Sequence, residues 1–181
     1  SACINEYLTL GHMKKVTSTE EQNAINNNGN WEYQTFYLPH HAVIKETSTT
    51  TKLRVVFNAS AKSSNGISLN DKMLVGPSIQ EELTSILMRW RKHKIVFTSD
   101  IEKMYRQINL NEKDANYHRI VWRDNENEQL KDYCLTTVTF GTAAAPYLAI
   151  KTLQHHAINE QKEFPKACEI IKSDFYVDDL L

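Results

Sequence analysis

Two stretches of this chain place carboxylates where a water-avoiding strand is expected. Residues 173–181 read SDFYVDDLL, with Asp174, Asp178 and Asp179 set among Phe175, Tyr176, Val177, Leu180 and Leu181. Residues 97–105 read FTSDIEKMY, with Asp100 at the close of another apolar run. Aromatic and β-branched runs of this kind signal strands, and unpaired carboxylates inside them are costly unless a cation neutralises them. Two or three carboxylates converging at strand ends make a hard-oxygen site suited to Mg²⁺ or Mn²⁺. A pair of such ions about 4 Å apart can hold the attacking and leaving oxygens of a phosphoryl transfer. Successive strand residues face opposite ways, so Asp178 and Asp179 can share an ion only if the chain turns there, as in a tight hairpin. Asp is also common in turns, so the pair alone leaves a plain surface turn open as a reading.

The elements that must position these groups alternate irregularly, which predicts an α+β fold. Residues 1–10 read as the tail of a helix, and 17–30, TSTEEQNAINNNGN, as an exposed polar loop. Residues 31–46 and 52–60 are strand-like, with Pro39 marking an edge or turn; joined by the turn 47–51, they predict a hairpin. Residues 61–77 contain Asn65-Gly66 and Gly76-Pro77 and read mostly as loop. A helix is expected over 78–94, capped by Ser78, with Glu81 and Glu82 in its first turn and Arg91, Lys92 and Lys94 at its basic end. A strand over 95–101 leads into Asp100. A short helix or turn over 111–116 precedes a second hairpin, 117–123 with 130–140, around a polar loop. Pro146 is tolerated in the first turns of a helix that runs from after Gly141 to about residue 160. Another short helix follows Pro165, and the final strand carries Asp178 and Asp179.

The 181 residues suffice for one substantial core, whole or divided into two subdomains. At 41% hydrophobic and 24% charged the composition is that of a soluble globular protein. No run of about 18 apolar residues predicts a membrane span, and no secretory signal peptide is legible. Cys3, Cys134 and Cys168 are odd in number and form no CxxC pair, which argues against zinc and a disulfide framework and favours a reducing compartment. The net charge of −1 does not advertise a nucleic-acid binder, although a local basic face remains compatible with it. His40-His41 and His155-His156 lack the i,i+4 spacing of a helical zinc pair, and neither they nor His12 receive a role.

The tetrad Tyr176-Val177-Asp178-Asp179 resembles the Tyr-x-Asp-Asp box of reverse transcriptases. DIEKMYRQI (100–108) is similar to their first metal-binding motif, FGTAAAPYLA (140–149) to the motif lining the template and nucleotide pocket, and KLRVVFNAS (52–60) to the basic fingers hairpin. Four elements in this order are more specific than any one. The strings YLPHHAVIKE, SLND, VGPSIQEEL, TVTFGTAAAPYLA and FYVDDLL resemble the BEL/Pao group of long-terminal-repeat retrotransposons over nearly all of residues 4–181, with Asn58 standing where that group has Asp.

What the resemblance implies is a right-hand polymerase: fingers over 31–77 and 111–139, an incomplete palm over 78–110 and 140–181 truncated before the thumb, and an N-terminal helix and loop over 1–30. The implied activity is RNA-directed DNA synthesis, adding deoxynucleotides to a primer 3′ end with two Mg²⁺ ions, or Mn²⁺ in their place. Asp100 and Asp178 would ligate both ions, with the Ile101 carbonyl and Asp179 completing the set. Tyr105 matches the aromatic that excludes a 2′-hydroxyl. Lys52 and Arg54 match the triphosphate-holding pair; their spacing by two also places them on one strand face, and a guanidinium suits bidentate phosphate contact. Phe140 and Gly141 would border the nucleotide, and Pro146, Tyr176 and Val177 the template and primer. The small run Ala143 to Ala145, with Gly141, would let backbone approach nucleic acid closely. Implied partners are an RNA or DNA template with primer, deoxynucleoside triphosphates, and the thumb, RNase H, protease and integrase of a polyprotein inside which this sequence is expected to end, in a cytoplasmic virus-like particle. On that expectation the isolated chain is at best feebly active. The alternative is a catalytically inactive remnant that serves as a binding or interaction module. An aspartic protease is discounted, because no Asp-Thr/Ser-Gly loop is present.

Overall fold

The computed structural model describes residues 2–18, 20, 34–47 and 53–181. Among them lie eight short strands: β1 (Met13–Lys15), β2 (His40–Ile44), β3 (Leu53–Phe57), β4 (Ser99–Asp100), β5 (Arg119–Trp122), β6 (Lys131–Leu135), β7 (Phe175–Tyr176) and β8 (Asp179–Leu180). Five helices accompany them, and every strand pairing is antiparallel, so the molecule is α+β. The chain divides into two units, Ser1–Met73 with Asn109–Ala143, and Leu74–Ile108 with Ala144–Leu181.

In the first unit the two expected hairpins form. β2 pairs β3 from His40↔Phe57 to Ile44↔Leu53, although residues 48–52 of the connecting turn lie outside the described part. β5 pairs β6 from Arg119↔Cys134 to Trp122↔Lys131 around the polar loop. β1 was not legible as a strand: it is three residues long, two of them Lys, and it is held by tertiary pairing along the other edge of β6. The helix Ala2–Thr9 sends Ile4 into the same core as Met13, Leu38, Phe57, Ile120 and Leu135, so it is an integral part of this unit. The expected polar loop at 17–30 departs from expectation where it is described. Ser18 and Glu20 have helical backbone. The Thr17 N–H donates to Glu20 Oε2 at 2.8 Å and the Glu20 N–H to Thr17 Oγ1 at 3.3 Å, a reciprocal capping box. The Thr-x-x-Glu spacing was the overlooked signal; residues 19 and 21–30 lie outside the described part.

The second unit contains the sheet β4-β8-β7 and the helices Leu83–Trp90, Ala145–Asn159 and Pro165–Ser173. Pro146 sits in the first turn of its helix as expected, where no backbone donor is missed. The helix expected over 78–94 is much shorter. Ser78 does not cap it: Glu82 takes the N-cap position with extended backbone, and no side chain caps it. The physical reason is competition. Gln154 Nε2 donates to the Ile79 carbonyl at 2.7 Å, and the Gln80 side chain accepts from the Val177 N–H; both tie 79–80, outside the helix, to another helix and to the last hairpin. Arg91, Lys92 and Lys94 lie past the helix end, and Arg89 occupies its last turn. Only Ser99–Asp100 of the expected 95–101 strand is paired. β8 offers partners to those two residues alone, and Ile95 and Phe97 remain 87% and 75% exposed.

Candidate metal centre

The site begins with a register. β8 pairs β4 on one side, Asp100↔Asp179, and β7 on the other, Tyr176↔Asp179 and Phe175↔Leu180. The β7–β8 connection is therefore a two-residue loop, Val177-Asp178. This is the turn that two adjacent carboxylates require in order to face one point. Val177 has φ +58, a conformation unusual for a β-branched residue. Positive φ at the first loop position alone matches a type II′ turn, where glycine is preferred; holding valine there costs about 1–3 kcal/mol. The Ile101 N–H donates to the Asp178 carbonyl at 2.9 Å and ties the loop to the end of β4.

One carboxylate oxygen from each of Asp100, Asp178 and Asp179 lies within 4.8 Å of the others; Asp178 is half-buried and the other two are exposed. Ligands about 2.1 Å from a single Mg²⁺ are at most about 4.2 Å apart, so modest side-chain rotation brings the three together. Three hard anionic oxygens suit a divalent cation of the Mg²⁺ or Mn²⁺ type. The Ile101 carbonyl accepts from the Met104 N–H at 3.2 Å, and a carbonyl retains a second lone pair.

Tyr105 lies in the tight turn Met104–Gln107, which follows Lys103 at φ +53. Burial pushes the Tyr105 phenol above its ordinary pKa, and the Asp178 charge adds to the effect. At the start of β7, Arg89 Nε binds Asp174 Oδ1 at 3.0 Å, its NH2 reaches the Ser173 carbonyl, and its NH1 lies 3.7 Å from Glu81. The entry to β7 is thereby anchored to the helix Leu83–Trp90. Sequence reading missed Gln80, Arg89 and Gln154, since generic polar residues in a helical-looking stretch carry no signal of their distant partners.

The other candidate residues divide between the units. Tyr176 and Val177 belong to the hairpin itself, and Pro146 is exposed at the start of Ala145–Asn159, all in the second unit. Arg54, Phe140 and Gly141 are in the first. Arg54 is exposed on β3, Phe140 is 44% exposed, and Lys52 lies outside the described residues. Gly141 has φ +92, and a Cβ there would fall 2.3 Å from the Phe57 carbonyl oxygen. Its lack of a side chain thus has a structural reason independent of any ligand. Asn58 ends β3 in a local turn, its Oδ1 accepting from the Ser60 N–H at 3.1 Å, a contact that Asp would make equally well. His40 packs against Phe57 and Trp122 with ring centroids 6.0 Å away in each case. No helix among the described residues is long and apolar enough to cross a membrane.

In comparisons with known proteins, no family model matches the chain and no curated protein matches it.

Proposed function

We propose that this chain is the fingers and palm part of an RNA-directed DNA polymerase from a BEL/Pao-type retroelement. The observation that carries the reading is the meeting of Asp100, Asp178 and Asp179 on a strand end and an adjoining two-residue hairpin. The order of four motifs along the sequence supports it, as does the separation of the 52–60 hairpin from the carboxylate-bearing unit. The first unit corresponds to fingers and the second to palm.

In this reading Asp100 and Asp178 hold divalent cations, with Asp179 and the Ile101 carbonyl in support. The bound cations would supply Lewis acidity and neutralise charge on the phosphates. The primer 3′-hydroxyl gives up its proton to solvent as its oxygen bonds to the α-phosphorus of a deoxynucleoside triphosphate, the bond from that phosphorus to the α,β-bridging oxygen breaks, and pyrophosphate leaves. The protein contributes positioning and a fixed electrostatic environment. Tyr105 presents a bulky ring beside Asp178 that discriminates against a 2′-hydroxyl. Lys52 and Arg54 grip the triphosphate, Phe140 and Gly141 flank the nucleotide, and Pro146, Tyr176 and Val177 meet template and primer. Template, primer and the remaining polyprotein domains are the partners, in a cytoplasmic particle.

The test is primer extension on an RNA template with Mg²⁺ and deoxynucleotides, using this chain and a form extended through a thumb. Extension by the longer form that falls at least about 100-fold in Asp178→Asn is expected. Equal activity of the longer form with and without that substitution refutes the assignment. Nucleic-acid binding without any extension, in both forms, favours the binding-module alternative.

A further inference from the structure

The Val177-Asp178 loop is held at both of its residues. On one side the Ile101 N–H donates to the Asp178 carbonyl at 2.9 Å, a bond that comes with the β4 backbone. On the other, the Val177 N–H donates to Gln80 Oε1 at 3.1 Å, half-buried and 97 residues away in sequence. Gln80 is itself fixed. Its neighbour Ile79 accepts from Gln154 Nε2 at 2.7 Å, and its other neighbour Glu81 lies 3.7 Å from Arg89, which also binds Asp174. The segment 79–81 is thus tied to the helix Ala145–Asn159, to the helix Leu83–Trp90 and to the turn. The side chains of Gln80, Ile150, Gln154, Phe175 and Val177 line one cleft behind the turn.

We infer that Gln80 is a positioning residue for the carboxylate site: its side-chain oxygen fixes the strained Val177 peptide and, through it, the direction of the Asp178 carboxylate. The inference deepens the proposed function and rests on the reading of Asp178 as a cation ligand. A loop residue at φ +58 keeps that conformation only when its surroundings hold it. Gln80 is the side chain that does so from outside the sheet. Loss of one such hydrogen bond corresponds to about a 2- to 10-fold change in the equilibrium it controls.

The experiment uses the full 181-residue chain labelled with ¹⁵N, and Mn²⁺ as the cation probe. Gln80→Met preserves length and removes the acceptor, whereas Gln80→Glu retains one. In Gln80→Met the Val177 amide is expected to exchange about 2- to 10-fold faster and Mn²⁺ to bind about 2- to 10-fold more weakly, with exchange in the β5–β6 hairpin unchanged. Gln80→Glu is expected to restore Val177 protection. Val177 exchange equal in wild type and Gln80→Met overturns the inference, and so does faster exchange with unaltered Mn²⁺ affinity. If Gln80→Met does not fold, Gln80→Glu decides: the Val177 amide shift must follow titration of the introduced carboxyl, and a flat response overturns the inference. Failure of the underlying site reading is distinct. Neither wild type nor Asp178→Asn would then bind Mn²⁺, while Val177 exchange would still decide whether Gln80 holds the turn.

Discussion

Gly141→Ala separates a structural from a ligand-binding reason for the glycine. A Cβ at this position would lie 2.3 Å from the Phe57 carbonyl oxygen and 3.3 Å from its carbon. The obstacle is backbone, at the end of a paired strand whose Phe57 side chain is 2% exposed in the core. It cannot swing aside as a flexible side chain would. The backbone at φ +92 adds a second cost for any L-residue. Forcing a methyl group into packed surroundings costs about 1–3 kcal/mol, and an L-residue held at such a φ costs about 1–3 kcal/mol more. The expected loss is roughly 2–6 kcal/mol, a fall in Tm on the order of 10 °C for a chain of this size. Urea unfolding followed by Trp fluorescence measures it without any nucleic acid. A loss below about 1 kcal/mol, together with weaker binding of a primed template, refutes this reasoning and assigns the glycine to close approach by nucleic acid.

Val177→Gly is expected to change stability by less than about 1 kcal/mol, because relief of about 1–3 kcal/mol of strain offsets the backbone entropy and side-chain burial lost; a loss above about 2 kcal/mol shows that valine is unstrained there. Glu20→Gln tests the capping box by pH. Burial alone would raise the Glu20 pKa, but the Thr17 N–H, the Lys14 ammonium and the Thr17 hydroxyl bring it from 4.5 down to about 2. Its ionised form therefore stabilises the fold above the unfolded value of 4.5, and that contribution disappears as pH falls through about 2. The substitution should destabilise at pH 7, with the gap to wild type narrowing as pH falls from 4.5 towards about 2; a gap as large at pH 2 as at pH 7 contradicts the assignment. Thiol labelling at pH 8 should report Cys3 first, since burial pushes the Cys134 thiol up to about 11 and Cys168 is only 1% exposed. Cys134→Ser should leave the fast-reacting fraction unchanged, and a reduced fraction overturns the assignment.

The two larger hairpins and the helix Ala145–Asn159 were legible because each is specified by neighbours in sequence. Polar loop residues sit between β-branched runs, and Pro146 stands where a helix tolerates it. The elements that were misread are those whose backbone donors and acceptors are claimed from far away. Residues 78–82 carry serviceable helix-start signals, Ser78 followed by Glu81 and Glu82, yet the Ile79 carbonyl is taken by Gln154 and the Gln80 side chain by Val177. A helical turn there would have to release both contacts. β1 is the converse case: Met13–Lys15 has no strand signal of its own and is extended only because β6 offers it an edge.

The hairpin at Val177 shows where chemistry is a better guide than propensity. Local preference reads FYVDDLL as one continuous strand, and a β-branched residue is among the least expected at the first position of a type II′ turn. A continuous strand would send Asp178 and Asp179 to opposite faces, and only a reversal lets both approach Asp100. The demand that three carboxylates share one point thus predicts the turn against the preference of its own residue. The structure has that turn, with Val177 at φ +58 and the three oxygens within 4.8 Å. Strain of this kind persists only where surroundings over-determine it. Here the surroundings are two strand pairings, the Ile101 N–H and Gln80, so the hairpin's geometry is a property of the whole second unit rather than of the six residues that form it.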